Sequence, residues 1–292
     1  MSEANIVTVD KEEVQRKENT KKTFYVILLT ILAILYLVPI VLIFINSFKD
    51  KTFISRDTFA LPNEKTFVGL DNYKEALTHY GFLESIGWTF VITILSVALI
   101  LLCTSMCGWF ITRVDRTWTK VIYYSFAVSM VVPFQMVMFT LSFTADRLKL
   151  NTPWLIPLVY LGFGAGLAVF MFTGAVKTIP KEIEEAAMID GASPLQLFFQ
   201  VVVPILKPEF ITIGILETMW IWNDFLLPYL VLDINKYQTI SITVQYMKGS
   251  YGRVDMGAIM AALVMAVIPV IIFYAFAQKY IVAGIIKGAV KG

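Results

Sequence analysis

Six stretches of the chain, at about residues 24–45, 88–111, 121–143, 154–176, 210–232 and 257–280, are apolar and nearly free of charge. Each is close to the roughly 20 residues that a helix needs to cross the hydrocarbon layer of a bilayer. In lipid a backbone must satisfy its hydrogen bonds internally, and runs this long without period-two alternation do so as helices. The expectation is an all-α membrane protein with six transmembrane helices. Composition agrees: 58% of residues are hydrophobic and 16% charged, against roughly half and a quarter in soluble domains.

The remaining composition excludes more than it assigns. A net charge of +2 with no basic stripe gives no footprint for nucleic acid. Cys103 and Cys107 lie one helical turn apart inside an apolar run and read as reduced packing residues. His79, the lone histidine, stands in a polar loop without the partners that a metal site requires. Residues 1–23 are polar and charged, and the first apolar run lacks a clear cleavage site, so it is expected to remain as helix 1.

Lysine and arginine set the orientation. With the N-terminus inside, the inner segments carry 14 of these residues and the outer loops 10. Lys21, Lys22, Arg113 and Arg116 stand close to helix ends, where the positive-inside rule has most weight. Both termini are therefore expected in the cytoplasm. The chain then divides into a tail (1–23), a six-helix domain (24–280) and a second tail (281–292). Residues 46–85 become an external loop, with a short helix expected from Asp71 to Thr78, and residues 177–209 a cytoplasmic one.

That cytoplasmic loop is the informative segment. Pro180 can open a helix, Lys181 to Ile189 are strong helix formers, and Gly191 is placed to end the helix at positive φ. Ser193 then caps a second helix, with Pro194 at its first position and Pro204 to stop or kink it. Two short helices at a sharp angle result, the first presenting small alanines flanked by acidic groups. Such a surface is suited to docking on another protein and poorly suited to anionic lipid.

Glu185-Ala186-Ala187, Asp190-Gly191-Ala192 and, after nine intervening residues, Val202-Val203-Pro204 resemble the EAA loop of ABC importer permeases. The ending from Gln278-Lys279-Tyr280 to Gly292, and Trp222-Asn223-Asp224-Phe225-Leu226-Leu227-Pro228, are similar to the maltose-type carbohydrate permeases, specifically the shorter, six-helix subunit. That family more often has Glu where Asp224 stands, and Glu84-Ser85-Ile86-Gly87 departs from its usual start to helix 2. The resemblance implies the type I importer permease fold, in a bacterial inner membrane. It implies coupling to a separate ATPase through Glu184, Glu185, Ala186, Ala187, Asp190, Gly191 and Ala192. It further implies a C-terminal ATPase contact at Gly288, Val290 and Lys291. The implied partners are a second permease, two ATPase domains and an extracellular solute-binding protein. No Walker motif occurs, so the chain is expected to be no enzyme and to bind no cofactor, ATP and magnesium being used by the ATPase.

Polar residues inside the apolar runs carry the second line of argument, because an ionisable group at mid-membrane costs about 2.5–3.5 kcal/mol on insertion scales. Glu217, Asn223 and Asp224, with Trp220 between the acids, are candidates to line a substrate pathway, and Gln135 beyond the kink-prone Pro133 is a lesser one. Pairing with a neighbouring helix is the competing role. Gly162-Phe163-Gly164-Ala165-Gly166 lies inside an apolar run with no strand before it, so its glycines read as helix-packing positions rather than a nucleotide loop. A permease for a non-sugar solute and a self-contained ion-coupled carrier are the alternative functions. The carrier would place acids in both halves of the chain, whereas here they cluster in one segment. Deleting residues 286–292 should weaken ATPase retention on purification; unchanged retention and coupled ATPase activity would remove the C-terminal contact from consideration.

Overall fold

The computed structural model describes residues 3–247 and 254–289. Among them the regular structure is helical, with a single isolated bridge between Lys49 and Phe67. In chain order the helices are α1 (Glu3–Asn46), α2 (Lys51–Ile54), α3 (Asp71–Thr78), α4 (Phe82–Arg113), α5 (Thr117–Ser129), α6 (Phe134–Arg147) and α7 (Ile156–Val176). There follow α8 (Lys181–Ile189), α9 (Pro194–Leu197), a π-helical turn (Phe198–Val202), α10 (Val203–Ile205), α11 (Lys207–Asn223), α12 (Leu226–Val231), α13 (Ile240–Tyr246) and α14 (Met256–Ala289).

By length and composition four helices are able to span a membrane unbroken: Lys21–Asn46, Phe82–Arg113, Ile156–Val176 and Met256–Tyr280. Counting each of two bent pairs as one span brings the total to six among the described residues. The third expected run, 121–143, is not one helix. It is α5 and α6, bent by 106°, because Pro133 offers no N–H to the preceding turn and pushes Val132 out of the helical region. The second pair joins Pro194–Ile205 to Lys207–Asn223 at 78°, between Pro204 and Pro208. The expected run 210–232 is also interrupted: α11 stops at Asn223, Asp224 is extended (φ −71°, ψ 133°), and α12 starts afresh. Pro228 denies the Asp224 carbonyl its helical donor, which places the break there. At the N-terminus α1 runs back to Glu3, through the charged segment read as a tail.

The described residues divide into two compact units. In the first (Met1–Glu75 with Asp255–Val264), the chain after α1 is pinned by polar groups. The Asn72 carboxamide donates to the carbonyls of Ser47 and Lys49, both at 2.8 Å. Ser47 Oγ meets Tyr73 Oη at 2.6 Å. Lys49 is buried and its ammonium donates to the Asp57 carbonyl at 2.7 Å; burial lowers its pKa below the ordinary lysine value. The apolar side chains of α1 from Phe24 to Val41 are exposed, as suits a helix whose surroundings are lipid or another chain.

In the second unit (Ala76–Val254 with Met265–Gly292), α4 and α7 lie against each other. Ile92 and Ile100 of α4 join Tyr160, Ala168, Phe172 and Val176 of α7 and Ile213 and Ile221 of α11 in one buried cluster. The close approach depends on glycine. A Cβ on Gly108 would come within 2.9 Å of the Phe172 Cβ and 3.1 Å of the Thr173 backbone nitrogen. Gly108→Leu should therefore destabilise the purified chain by about 1–3 kcal/mol, as overpacking does. Gly174→Ala, where the space is open, should not. Thermal unfolding in detergent measures both, and equal melting temperatures for the two variants would contradict this account of the helix contact.

Candidate functional site

The segment after α7 builds a sharp helical elbow from local chemistry. Pro180 enters α8 with its φ fixed near −57°. At the far end the Ala192 N–H reaches the Ala187 carbonyl at 3.0 Å and the Gly191 N–H reaches that of Met188 at 3.1 Å. This double closure requires the positive φ of Gly191, which is +88°. Ser193 and Gln196 then cap α9 reciprocally, the Gln196 N–H donating to Ser193 Oγ and the Ser193 N–H to Gln196 Oε1. Pro180, Gly191 and Ser193 were legible in the sequence; the reciprocal role of Gln196 was not.

What holds the elbow in place was not. Glu184 is 4% exposed and faces inward. The Arg113 guanidinium, at the end of α4, donates to Glu184 Oε1 from Nε (2.9 Å) and Nη2 (2.6 Å). Its Nη2 also donates to the carbonyls of Val176 (3.3 Å), the last residue of α7, and of Ile179 (3.0 Å) beyond it. Trp109, one turn back on α4, donates its indole N–H to Glu184 Oε2 at 3.0 Å. Both oxygens of the buried carboxylate are thus satisfied, which a buried charge requires. Of the seven residues grouped as a docking surface, Glu184 belongs to this inner clamp. Glu185, Ala186, Asp190 and Gly191 are exposed, with the apolar Ile183, Met188 and Ile189 beside them, the last 85% exposed. The signal for the clamp was present as Trp109 and Arg113, spaced i,i+4 on one face of a helix end, but nothing local named their partner.

The polar residues of the apolar core separate into distinct environments. Asp224 Oδ1 accepts the Leu226 and Leu227 N–H groups at 3.0 and 3.4 Å, capping α12 where α11 breaks. Its Oδ2 accepts the Tyr160 hydroxyl at 3.1 Å, and the Tyr160 ring stands edge-on to Trp220, centroids 5.5 Å apart. Asn223 is exposed and turns its amide back onto the Met219 carbonyl of its own helix at 2.7 Å. Gln135 is exposed in the first turn of α6. Glu217 is different. It is 3% exposed, and its Oε2 has no hydrogen-bond partner among the described residues. It lines a cavity of about 300 Å3 with Met130, Phe163, Gly164, Leu167, Leu216 and Trp220. The structure therefore brings Glu217 and Trp220 together at one cavity, attaches Asp224 to them through Tyr160, and leaves Gln135 and Asn223 outside its walls. Gly288 falls in the last turn of α14, while Val290 and Lys291 lie outside the described residues.

Comparison with known proteins resolves what this architecture belongs to. Residues 101–287 match the family described as binding-protein-dependent transport system inner membrane component. The chain belongs to that family. A probable starch degradation products transport system permease of Thermoanaerobacterium thermosulfurigenes is 38% identical, over 94% of this chain and 99% of its own. A multiple sugar-binding transport system permease of Streptococcus mutans is 32% identical, over 95% and 100%. The fold matches a chain of a bacterial ABC transporter involved in import of the acidic polysaccharide alginate, with a TM-score of 0.74 at 23% identity, covering 91% of this chain and 98% of that one. The protein is a multi-pass ABC importer permease of the carbohydrate-uptake type, a non-catalytic subunit whose ATP is hydrolysed by a partner ATPase.

Within the permease the elbow is an exposed face backed by a buried ion pair. Removing one partner of such a pair leaves an uncompensated charge, at a cost of about 3–5 kcal/mol. Arg113→Ala should consequently free α8: amide hydrogens of residues 181–192 should exchange faster, with those of α7 little changed. Arg113→Lys should recover little, because lysine cannot present the two-nitrogen fork. Unaltered exchange across α8 in Arg113→Ala would show that the clamp does not hold the helix.

Proposed function

We propose that this chain forms half of the translocation pathway of an ATP-driven importer of sugars or oligosaccharides, with both termini in the cytoplasm. The observation that carries the coupling role is the two-faced character of α8. Its inner side is bolted to α4 through Glu184, and its outer side offers Glu185 and Asp190 around the exposed Ile183, Met188 and Ile189. Apolar centres rimmed by charge are what protein interfaces are made of, and a helix clamped this firmly passes on a push instead of absorbing it. The partner at this face is the ATPase, whose closure would be transmitted through Arg113 into α4. The chain holds no cofactor of its own, ATP and magnesium residing on two ATPase domains. A second permease completes the pathway, an extracellular solute-binding protein delivers the cargo, and residues 281–292 add a further ATPase contact.

The sugar assignment draws on the cargo named for its relatives. The candidate pathway groups are Gln135, Glu217, Trp220, Asn223 and Asp224, of which Glu217 and Trp220 alone share a cavity wall. The test is uptake by the complete assembly in proteoliposomes. Gly191→Val forces a β-branched residue to φ +88°, which strains the elbow where glycine is at ease. The variant should insert and assemble, yet lose most ATP-dependent sugar uptake. Full uptake by this variant would refute the coupling role, and wild-type uptake of non-sugar solutes alone would refute the cargo.

A further inference from the structure

Glu217 presents an unresolved physical problem. A carboxyl group that is almost wholly buried, in a wall of Met130, Phe163, Leu167 and Leu216, ordinarily has a partner for each oxygen. Here Oε2 has none among the described residues. The space for the group exists only because residue 164 is glycine: a Cβ there would lie 2.9 Å from Glu217 Oε2 and 2.7 Å from Ile100 Cδ1. Neighbouring Asp224 is the contrast. Both its oxygens are engaged, one in capping α12 and one by Tyr160. The acids that looked equivalent in sequence are a committed group and an open one.

We propose that Glu217 and Trp220 are the sugar-contact groups of this permease, Glu217 accepting a ring hydroxyl and the indole of Trp220 receiving the apolar C–H face of the same ring. The proposal deepens the importer reading and rests on it. Trp220 is 40% exposed and is braced edge-on by Tyr160, which Asp224 fixes in turn. Asp224 and Tyr160 are positioning residues: they set the indole and do not touch the sugar. The cavity, about 300 Å3, is at the small end of the roughly 300–1,000 Å3 of small-molecule sites. It has room for one ring at a time, which suits a chain passing stepwise. Its walls supply one acceptor group and otherwise apolar surface, a combination that holds a neutral polyol without immobilising it. Weak holding is what a conduit needs.

The experiment uses the complete transporter, with ATPase and binding protein, in proteoliposomes given maltotriose or raffinose. It measures sugar moved per ATP hydrolysed, together with the yield of assembled complex. Glu217→Leu should lower sugar moved per ATP at least tenfold, the scale of losing a hydrogen bond, with the yield of assembled complex unchanged. Glu217→Gln keeps an acceptor and should recover much of the loss. Gly164→Ala, which sets a methyl group against Oε2, should lower transport in the same direction. Wild-type sugar transport with an unaffected Glu217→Leu overturns the site alone. Loss of the assembled complex in Glu217→Leu also overturns it, assigning the carboxyl to a cationic side chain of the second subunit. Absence of sugar flux through the wild-type assembly that carries another solute overturns the sugar reading, and this site with it.

Discussion

The guanidinium of Arg113 gathers three separated pieces of chain at one point: the end of α4, the carbonyls at and just beyond the end of α7, and the inner face of α8. Without it the carbonyls of Val176 and Ile179 would lose a donor, and Glu184 would be a buried charge with only Trp109 for company. A planar five-donor cation suits the task because one group can satisfy a carboxylate and two carbonyls in a single plane. The exposed half of α8 is held in place because the hidden half is anchored. A helix presented on loops alone would be free to shift; this one is tied to α4.

The second constraint is how helices approach in lipid, where apolar burial gives no net drive and close contact must come from shape. Gly108 lets α4 reach the backbone of α7, and Gly166 admits the end of α5, where a Cβ would meet Ser129 Oγ and Met130 Cγ. Gly164 makes room for a carboxyl group instead of a helix. The reading of the Gly162–Gly166 run as a packing device was right for Gly166, while Gly162 has open space beside it. It did not anticipate that one glycine would serve a side chain.

Breaks in the spans follow the same economy. Pro133, Pro204 and Pro208 flank the two sharp bends, and Pro228 sets the interruption at Asp224. At that interruption the side chain of Asp224 supplies the acceptor that the first N–H groups of α12 lack, by capping the helix. An acid placed mid-span thus has a structural explanation at position 224 and, at position 217, an open oxygen. Burial cost alone flags both residues equally. Only the list of partners divides them.

The sequence by itself determined the class and the elbow. Apolar runs of membrane-spanning length left no alternative to helices, since lipid offers no hydrogen bonds to a bare backbone. Pro180, Gly191, Ser193 and Pro194 specified two short helices through φ preferences and caps that act within four residues. The span of α3, Asp71–Thr78, was legible for the same local reason. The tertiary structure decided what depends on partners distant in the chain. Glu184 and Arg113 are 71 positions apart, and Tyr160 and Asp224 are 64. The angle at Pro133 was likewise beyond reach, because proline removes a hydrogen bond and leaves the direction of the bend to whatever packs around it. Local rules fix where a chain turns; which charge meets which, and which oxygen is left without a partner, is settled only when separate helices close on one another.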